Sequence, residues 1–149
     1  MKSRVDTALE LFSEGYNCAQ AVFAAFADKY GIDKDTAMKL SSSFGGGMGR
    51  MREVCGAASG MFMVIGLETG ATEGSDKDGK AANYAKVREL AERFKAKTGS
   101  LICRELLGLD KSTAESHIPE ARTPAYYAKR PCTDMVRIAA ELLVEEFGE

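Results

Sequence analysis

Apolar residues recur three or four positions apart over most of the chain, the spacing that lines up one face of a helix. Val5, Ala8, Leu9 and Phe12 form a first stripe, and after a break at Gly15 the residues Ala19, Val22, Phe23 and Phe26 form a second. A third helix runs from a cap at Asp33 or Asp35 through Ala37, Met38 and Leu40. It ends before the cluster Phe44-Gly45-Gly46-Gly47-Met48-Gly49. A fourth covers about residues 52–67, although each internal glycine costs roughly 1 kcal/mol relative to alanine. Beyond a polar loop at residues 69–79, Tyr84, Val87, Ala91 and Phe94 mark a long helix to about Lys97. A short helix at residues 101–107 stops at Gly108. The last opens at Pro131, within its first turn, and carries Met135, Ile138, Ala139, Leu142 and Leu143 to about Phe147. No segment alternates as a strand does. The pattern predicts an all-α protein, a compact up-and-down bundle of about six or seven helices forming one helical domain over residues 1–149.

Between Gly108 and Arg130 lies a long connection holding His117, Pro119, Pro124, Tyr126 and Tyr127. Connections of this length are either lids and binding segments or plain wraps over the bundle, and the sequence weighs the two evenly. His117 is the only histidine, too far from every cysteine to be assigned as base or ligand, so solvent exposure is its expected fate. Tyr126 and Tyr127 are expected to pack their rings and keep their hydroxyls wet.

Composition narrows the function classes. Apolar residues make 45% and charged residues 28% of the 149 residues, with a formal net charge of -2, so no basic field for nucleic acid exists. The N-terminus does not read as a signal peptide, and the longest nearly apolar stretch, residues 57–67, is about half of the roughly 20 residues a spanning helix needs. The expectation is a cytoplasmic protein without stable membrane insertion, whose thiols stay mostly reduced. A Ser-His-Asp set, a paired-carboxylate spacing and an H-E-x-x-H motif are all missing, which argues against familiar hydrolase chemistry.

The four cysteines are the informative chemistry. Cys18 follows Asn17, a good N-cap; Cys103 lies three residues after the candidate cap Ser100; Cys132 follows Pro131. Three thiols thus fall in a first helical turn, where unpaired N–H groups and the helix dipole favour thiolate over thiol. Cys55 sits early in the fourth helix. Each also begins an inward row: Cys18 with Ala21 and Val22, Cys55 with Ala58 and Phe62, Cys103 with Leu106 and Leu107, Cys132 with Met135 and Val136. Arg50 and Arg52 lie near Cys55, Arg104 beside Cys103, and Lys129 and Arg130 before Cys132. A lone cysteine is more often a small buried hydrophobe; four placed alike are harder to dismiss. No C-x-x-C unit occurs, so neither a thioredoxin-like motif nor a zinc ribbon is supported.

Two other features carry weaker signals. The glycines Gly45, Gly46, Gly47 and Gly49 could make a backbone nest for an anion or a flavin phosphate, yet the cluster has no Lys-Ser/Thr ending and follows no strand. A structural role, letting the chain turn sharply and pass close to the thiols, is preferred. Met48, Met51, Met61 and Met63 read as core filler before soft-metal ligands.

In its blocks Gly15-Tyr16-Asn17-Cys18-Ala19-Gln20-Ala21-Val22, Phe44-Gly45-Gly46-Gly47-Met48-Gly49, Cys55-Gly56-Ala57-Ala58-Ser59-Gly60, Cys103-Arg104-Glu105-Leu106-Leu107-Gly108 and the final Cys132, the chain resembles a family of redox-active proteins named for its C, GCAxxG, C, C cysteine pattern, with a central CGAxxG signature. The resemblance implies redox activity at Cys18, Cys55, Cys103 and Cys132. It also implies relatives with selenocysteine and relatives linked to cytochromes with an iron–sulfur centre. The leading expectation is dithiol/disulfide exchange or electron transfer, with Cys18 or Cys132 attacking and a second cysteine resolving, in an activity of thiol-disulfide oxidoreductase type. The rival is a metal-binding protein in which the four cysteines ligate zinc or an iron–sulfur cluster. A packed interaction module is third. Cofactors beyond those two, the redox partner or small-molecule substrate, and assembly into a homo-oligomer stay open.

Overall fold

The computed structural model describes residues 2–110 and 115–149. Its described elements are eight α-helices and one 3-10 turn: α1 (Arg4–Ser13), α2 (Cys18–Ala27), the turn Asp28–Tyr30, α3 (Lys34–Ser42), α4 (Gly56–Thr69), α5 (Lys77–Thr98), α6 (Cys103–Leu106), α7 (Pro124–Lys129) and α8 (Cys132–Phe147). The protein is all-α, and its extended structure among the described residues is an isolated antiparallel bridge between Val54 and Ile102. No described helix is long and apolar enough to cross a membrane.

The helices start where side chains can satisfy their first N–H groups. Ser3, Asp33, Asp76 and Thr123 each accept a backbone N–H at the start of α1, α3, α5 and α7. Asn17 and Gln20 close a reciprocal capping box on α2. Helix α2 is apolar nearly all round, with Ala19, Ala21, Val22, Phe23, Ala25, Phe26 and Ala27 buried. A helix of that kind belongs in the middle, and α2 packs against α1, α3, α4 and α8.

The α2–α4 crossing is set by glycines. A Cβ on Gly60 would lie 2.8 Å from the Ala19 carbonyl oxygen, and one on Gly56 would lie 3.1 Å from the Phe44 carbonyl oxygen and 3.3 Å from Cys18 Cβ. The two backbones touch because neither position has a side chain. This contact brings the start of α4 beside the start of α2.

Four expectations need correction. The described α-helices number eight and not six or seven, because the connection after Gly108 contains α7. The fourth helix begins at Gly56, since Arg52 has φ 62° and Val54 is extended in its bridge, neither of which continues a right-handed helix. Pro131 is the N-cap of α8, one residue before its first turn. Of the methionines, Met61 is in the core as expected, whereas Met51 is 63% exposed. Residues 111–114 of the long connection lie outside the described residues.

Candidate functional site

All four cysteines line one cavity of about 430 Å³. Cys18, Cys103 and Cys132 are the first residues of α2, α6 and α8, and Cys55 is the N-cap of α4. Four helices therefore point their starts at a shared space. The bridge Val54–Ile102 fixes two of them. Cys55 N–H donates to the Leu101 carbonyl at 2.7 Å and Cys103 N–H to the Glu53 carbonyl at 2.6 Å, joining the segments that lead into α4 and α6.

The glycine cluster forms a short left-handed coil. From Gly46 through Arg50 every φ lies between 56° and 72°, and Arg50 N–H to Gly45 and Glu53 N–H to Gly47 close wide turns at 3.2 and 2.9 Å. Left-handed backbone costs roughly 1–2 kcal/mol at each non-glycine residue, and here Met48 and Arg50 adopt it. Gly47 is irreplaceable on a second ground: a Cβ there would sit 2.7 Å from Cys103 Cβ. The coil holds Gly45, Gly46, Gly47 and Gly49 along the cavity and delivers Arg50 and Arg52 to it.

The long connection covers this cavity. His117, Pro119, Glu120, Arg122 and Tyr126 all line it. His117 is exposed as expected, but at the cavity edge and not away from it. The connection is strapped down by Arg50, whose guanidinium donates to the Ser116 carbonyl at 3.0 Å and the Ile118 carbonyl, and by Arg52 to Glu115 at 3.0 Å. Arg122 donates to the Phe12 and Tyr16 carbonyls at 3.1 and 3.0 Å. Its guanidinium stacks over Phe12, Tyr126 and Tyr127. No sequence motif ties Arg122 to a cysteine that is distant in the chain; folding alone brings it to the cavity.

The thiols divide by environment. Cys132 is drawn down to about 7, first by the hydrogen bond it accepts from Cys18, against the cost of burial, and then by Arg130, Arg52 and Arg122. Cys18 is pushed well up, first because its S–H is the donor in that same bond and then by burial. Burial raises Cys55 to about 12, opposed by the Ala58 and Ala57 N–H groups. Burial also raises Cys103, against the pull of Arg52, whose Nη1 lies 3.7 Å from Cys103 Sγ. Helix starts alone were expected to favour the thiolate at Cys18, Cys103 and Cys132. Only Cys132 moves in that direction, because the interaction with Cys132 and then burial raise Cys18, and burial raises Cys103. Arg52, three positions before Cys55 in the sequence, meets Cys103 instead.

A metal needs several donors within bonding reach of one point. Among the described residues no group of three or more His, Cys, Asp or Glu side chains is gathered in that way. All four cysteines are free thiols. The Cys₄ ligand set of zinc or a cluster is thus not preformed in this arrangement.

A family model described as "Putative redox-active protein (C_GCAxxG_C_C)" matches residues 16–146, a span that holds every cysteine. The chain belongs to this family. No curated protein and no solved structure matches it. The cysteine pattern of the family has a spatial meaning in this chain: its four cysteines mark four helix starts around one cavity, and the glycines of the Cys55-Gly56-Ala57-Ala58-Ser59-Gly60 segment let α4 approach α2.

Proposed function

We propose that the protein is a dithiol/disulfide redox protein in which Cys132 is the attacking thiolate and Cys18 the resolving thiol. The supporting observation is the pair itself: two thiols from distant parts of the chain line one cavity and act on each other, so that the thiolate is favoured on Cys132 and the thiol on Cys18. A thiol with a pKa near ambient pH combines a useful thiolate fraction with retained nucleophilicity.

In the first step the Cys132 thiolate attacks one sulfur of a substrate disulfide. A new S–S bond forms, the substrate S–S bond breaks, and its other sulfur leaves as a thiolate. Once Cys132 is a mixed disulfide it no longer accepts the Cys18 S–H, so the largest cause of the raised Cys18 pKa disappears. Cys18 then loses its proton to solvent and its thiolate attacks Cys132 Sγ, expelling the second half of the substrate. The two cysteines lose two electrons and become a disulfide; the substrate disulfide gains them and becomes two thiolates, which take protons from solvent. Cys55 and Cys103, buried and protonated, are assigned no step of this exchange.

Reaction of the reduced protein with bis(hydroxyethyl) disulfide at neutral pH, followed by peptide mass mapping, tests the assignment. Wild type should end with Cys18 bonded to Cys132, Cys18→Ser should accumulate a mixed disulfide on Cys132, and Cys132→Ser should react slowly. Four unmodified thiols, or a Cys55–Cys103 product in place of the expected one, would overturn it.

A further inference from the structure

The charge around the cavity is unbalanced. Arg50, Arg52, Arg122 and Arg130 all line it. Two carboxylates answer them: Glu115 reaches Arg52 at 3.0 Å and Arg50 at 3.6 Å, and Glu120 reaches Arg50 at 3.4 Å and pairs with Arg130. Arg122 pairs with no carboxylate among the described residues. Its Nη1 is used by the Phe12 carbonyl and the Tyr127 hydroxyl and one Nη2 hydrogen by the Tyr16 carbonyl, so its Nε–H and second Nη2 hydrogen find no acceptor among the described residues. Stacking on three aromatic rings holds that guanidinium rigid.

The glycine coil adds donors of a different kind. The N–H groups of Met48, Gly49, Arg50, Arg52 and Glu53 are spent on backbone carbonyls, but those of Gly45, Gly46 and Gly47 meet no acceptor among the described residues. Successive unpaired N–H groups in a turn make an anion-binding concavity. Four cations against two carboxylates, with spare donors in a partly dehydrated space, favour a negatively charged occupant. A cavity of about 430 Å³ is of small-molecule size.

We infer that the substrate is a low-molecular-weight disulfide whose substituents carry carboxylate or phosphate groups, bound by Arg122 and the Gly45–Gly47 turn. This inference rests on the dithiol reading for its chemistry but not for its binding. The test uses three aliphatic disulfides that differ in charge: dithiodipropionate (anionic), bis(hydroxyethyl) disulfide (neutral) and cystamine (cationic). Hydrogen bonds to charged groups are each worth enough to predict about a tenfold faster reaction of the anionic disulfide than of the neutral one, with cystamine slowest. In Arg122→Gln the anionic-to-neutral rate ratio should collapse towards one, and Arg122→Lys should recover part of it.

Calorimetric binding of suberate, which has the chain length of dithiodipropionate without its sulfurs, reads the anion site independently of redox chemistry; octanediol is the neutral control. Suberate binding that is weakened in Arg122→Gln supports the site. Equal rates for the three disulfides with no suberate binding would overturn the substrate class and leave the dithiol reading standing. Suberate binding with no reaction of any disulfide would keep the anion site and sink the dithiol reading.

Discussion

At the scale of single residues, Cys132 carries the sharpest prediction because its setting has separable causes. The hydrogen bond from Cys18 contributes most to its descent to about 7, followed by Arg130, Arg52 and Arg122 working against burial. The alkylation rate of Cys132, followed by peptide mass spectrometry against pH, should therefore rise with a midpoint near 7. Cys18→Ala should move that midpoint up the most, and Arg130→Gln should move it up by less; an unmoved midpoint in both would mean that neither group acts on the thiolate. The same shift has a consequence for stability. The folded value lies below the ordinary 9.0, so the contribution of Cys132 is present above pH 9 and is lost as pH falls through about 7. Cys55 acts with the opposite sign. Its folded value near 12 means that stability drains away as pH climbs from 9 towards 12. The positions of these thiols at helix starts were legible from Asn17 and Pro131, because capping is written in neighbouring residues. The direction of each shift was not, because burial and the approach of Arg122 are products of tertiary packing.

At the scale of elements, the chain encodes its helices well wherever one face is apolar and the caps are polar. The stripes of α1, α2, α5 and α8 were read close to their observed bounds for that reason. The start of α4 was misplaced because its lead-in contains Arg52 in a left-handed conformation, which hydrophobic spacing does not report. Helix α7 did leave a signal, Thr123 capping a helix with Pro124 at its first position, but the surrounding loop composition masked it. The glycines of α4 illustrate a cost accepted for position. Alanine at position 60 would gain about 1 kcal/mol of helix propensity, yet its Cβ would meet the Ala19 carbonyl at 2.8 Å, a backbone atom that cannot swing aside. Overpacking of this kind typically costs 1–3 kcal/mol, so Gly60→Ala should lower the urea midpoint despite its better propensity. It should also slow formation of the Cys18–Cys132 disulfide, since α2 carries Cys18. The control is Gly66→Ala, on the same helix with nothing within 4 Å of the added Cβ, which should leave the midpoint unchanged or raise it.

At the scale of the whole molecule, the proposed disulfide would tie the start of α2 to the start of α8 and so span most of the chain. In the chain-entropy account, closing a loop on the order of 100 residues removes about 4.7 kcal/mol of freedom from the unfolded ensemble. Against this stands the stabilisation of the reduced state by the Cys132 thiolate. At pH 7 a group with a pKa of about 7 is half ionised, and that is worth only RT ln 2, about 0.4 kcal/mol. Loop closure outweighs it by a wide margin. The oxidised protein should therefore unfold at higher urea than the reduced protein. Even if native geometry absorbs half of the loop term, about 2 kcal/mol remains. By linkage, a fold that is steadied by its disulfide equally steadies the disulfide, which makes the dithiol a reductant towards small disulfides. Paired urea titrations of the reduced and oxidised protein, with an equilibrium titration in a glutathione redox buffer, check both sides of this linkage. A fold weakened by oxidation, together with a pair easily reduced by glutathione, would place the protein among oxidants and reverse the direction of electron flow proposed here.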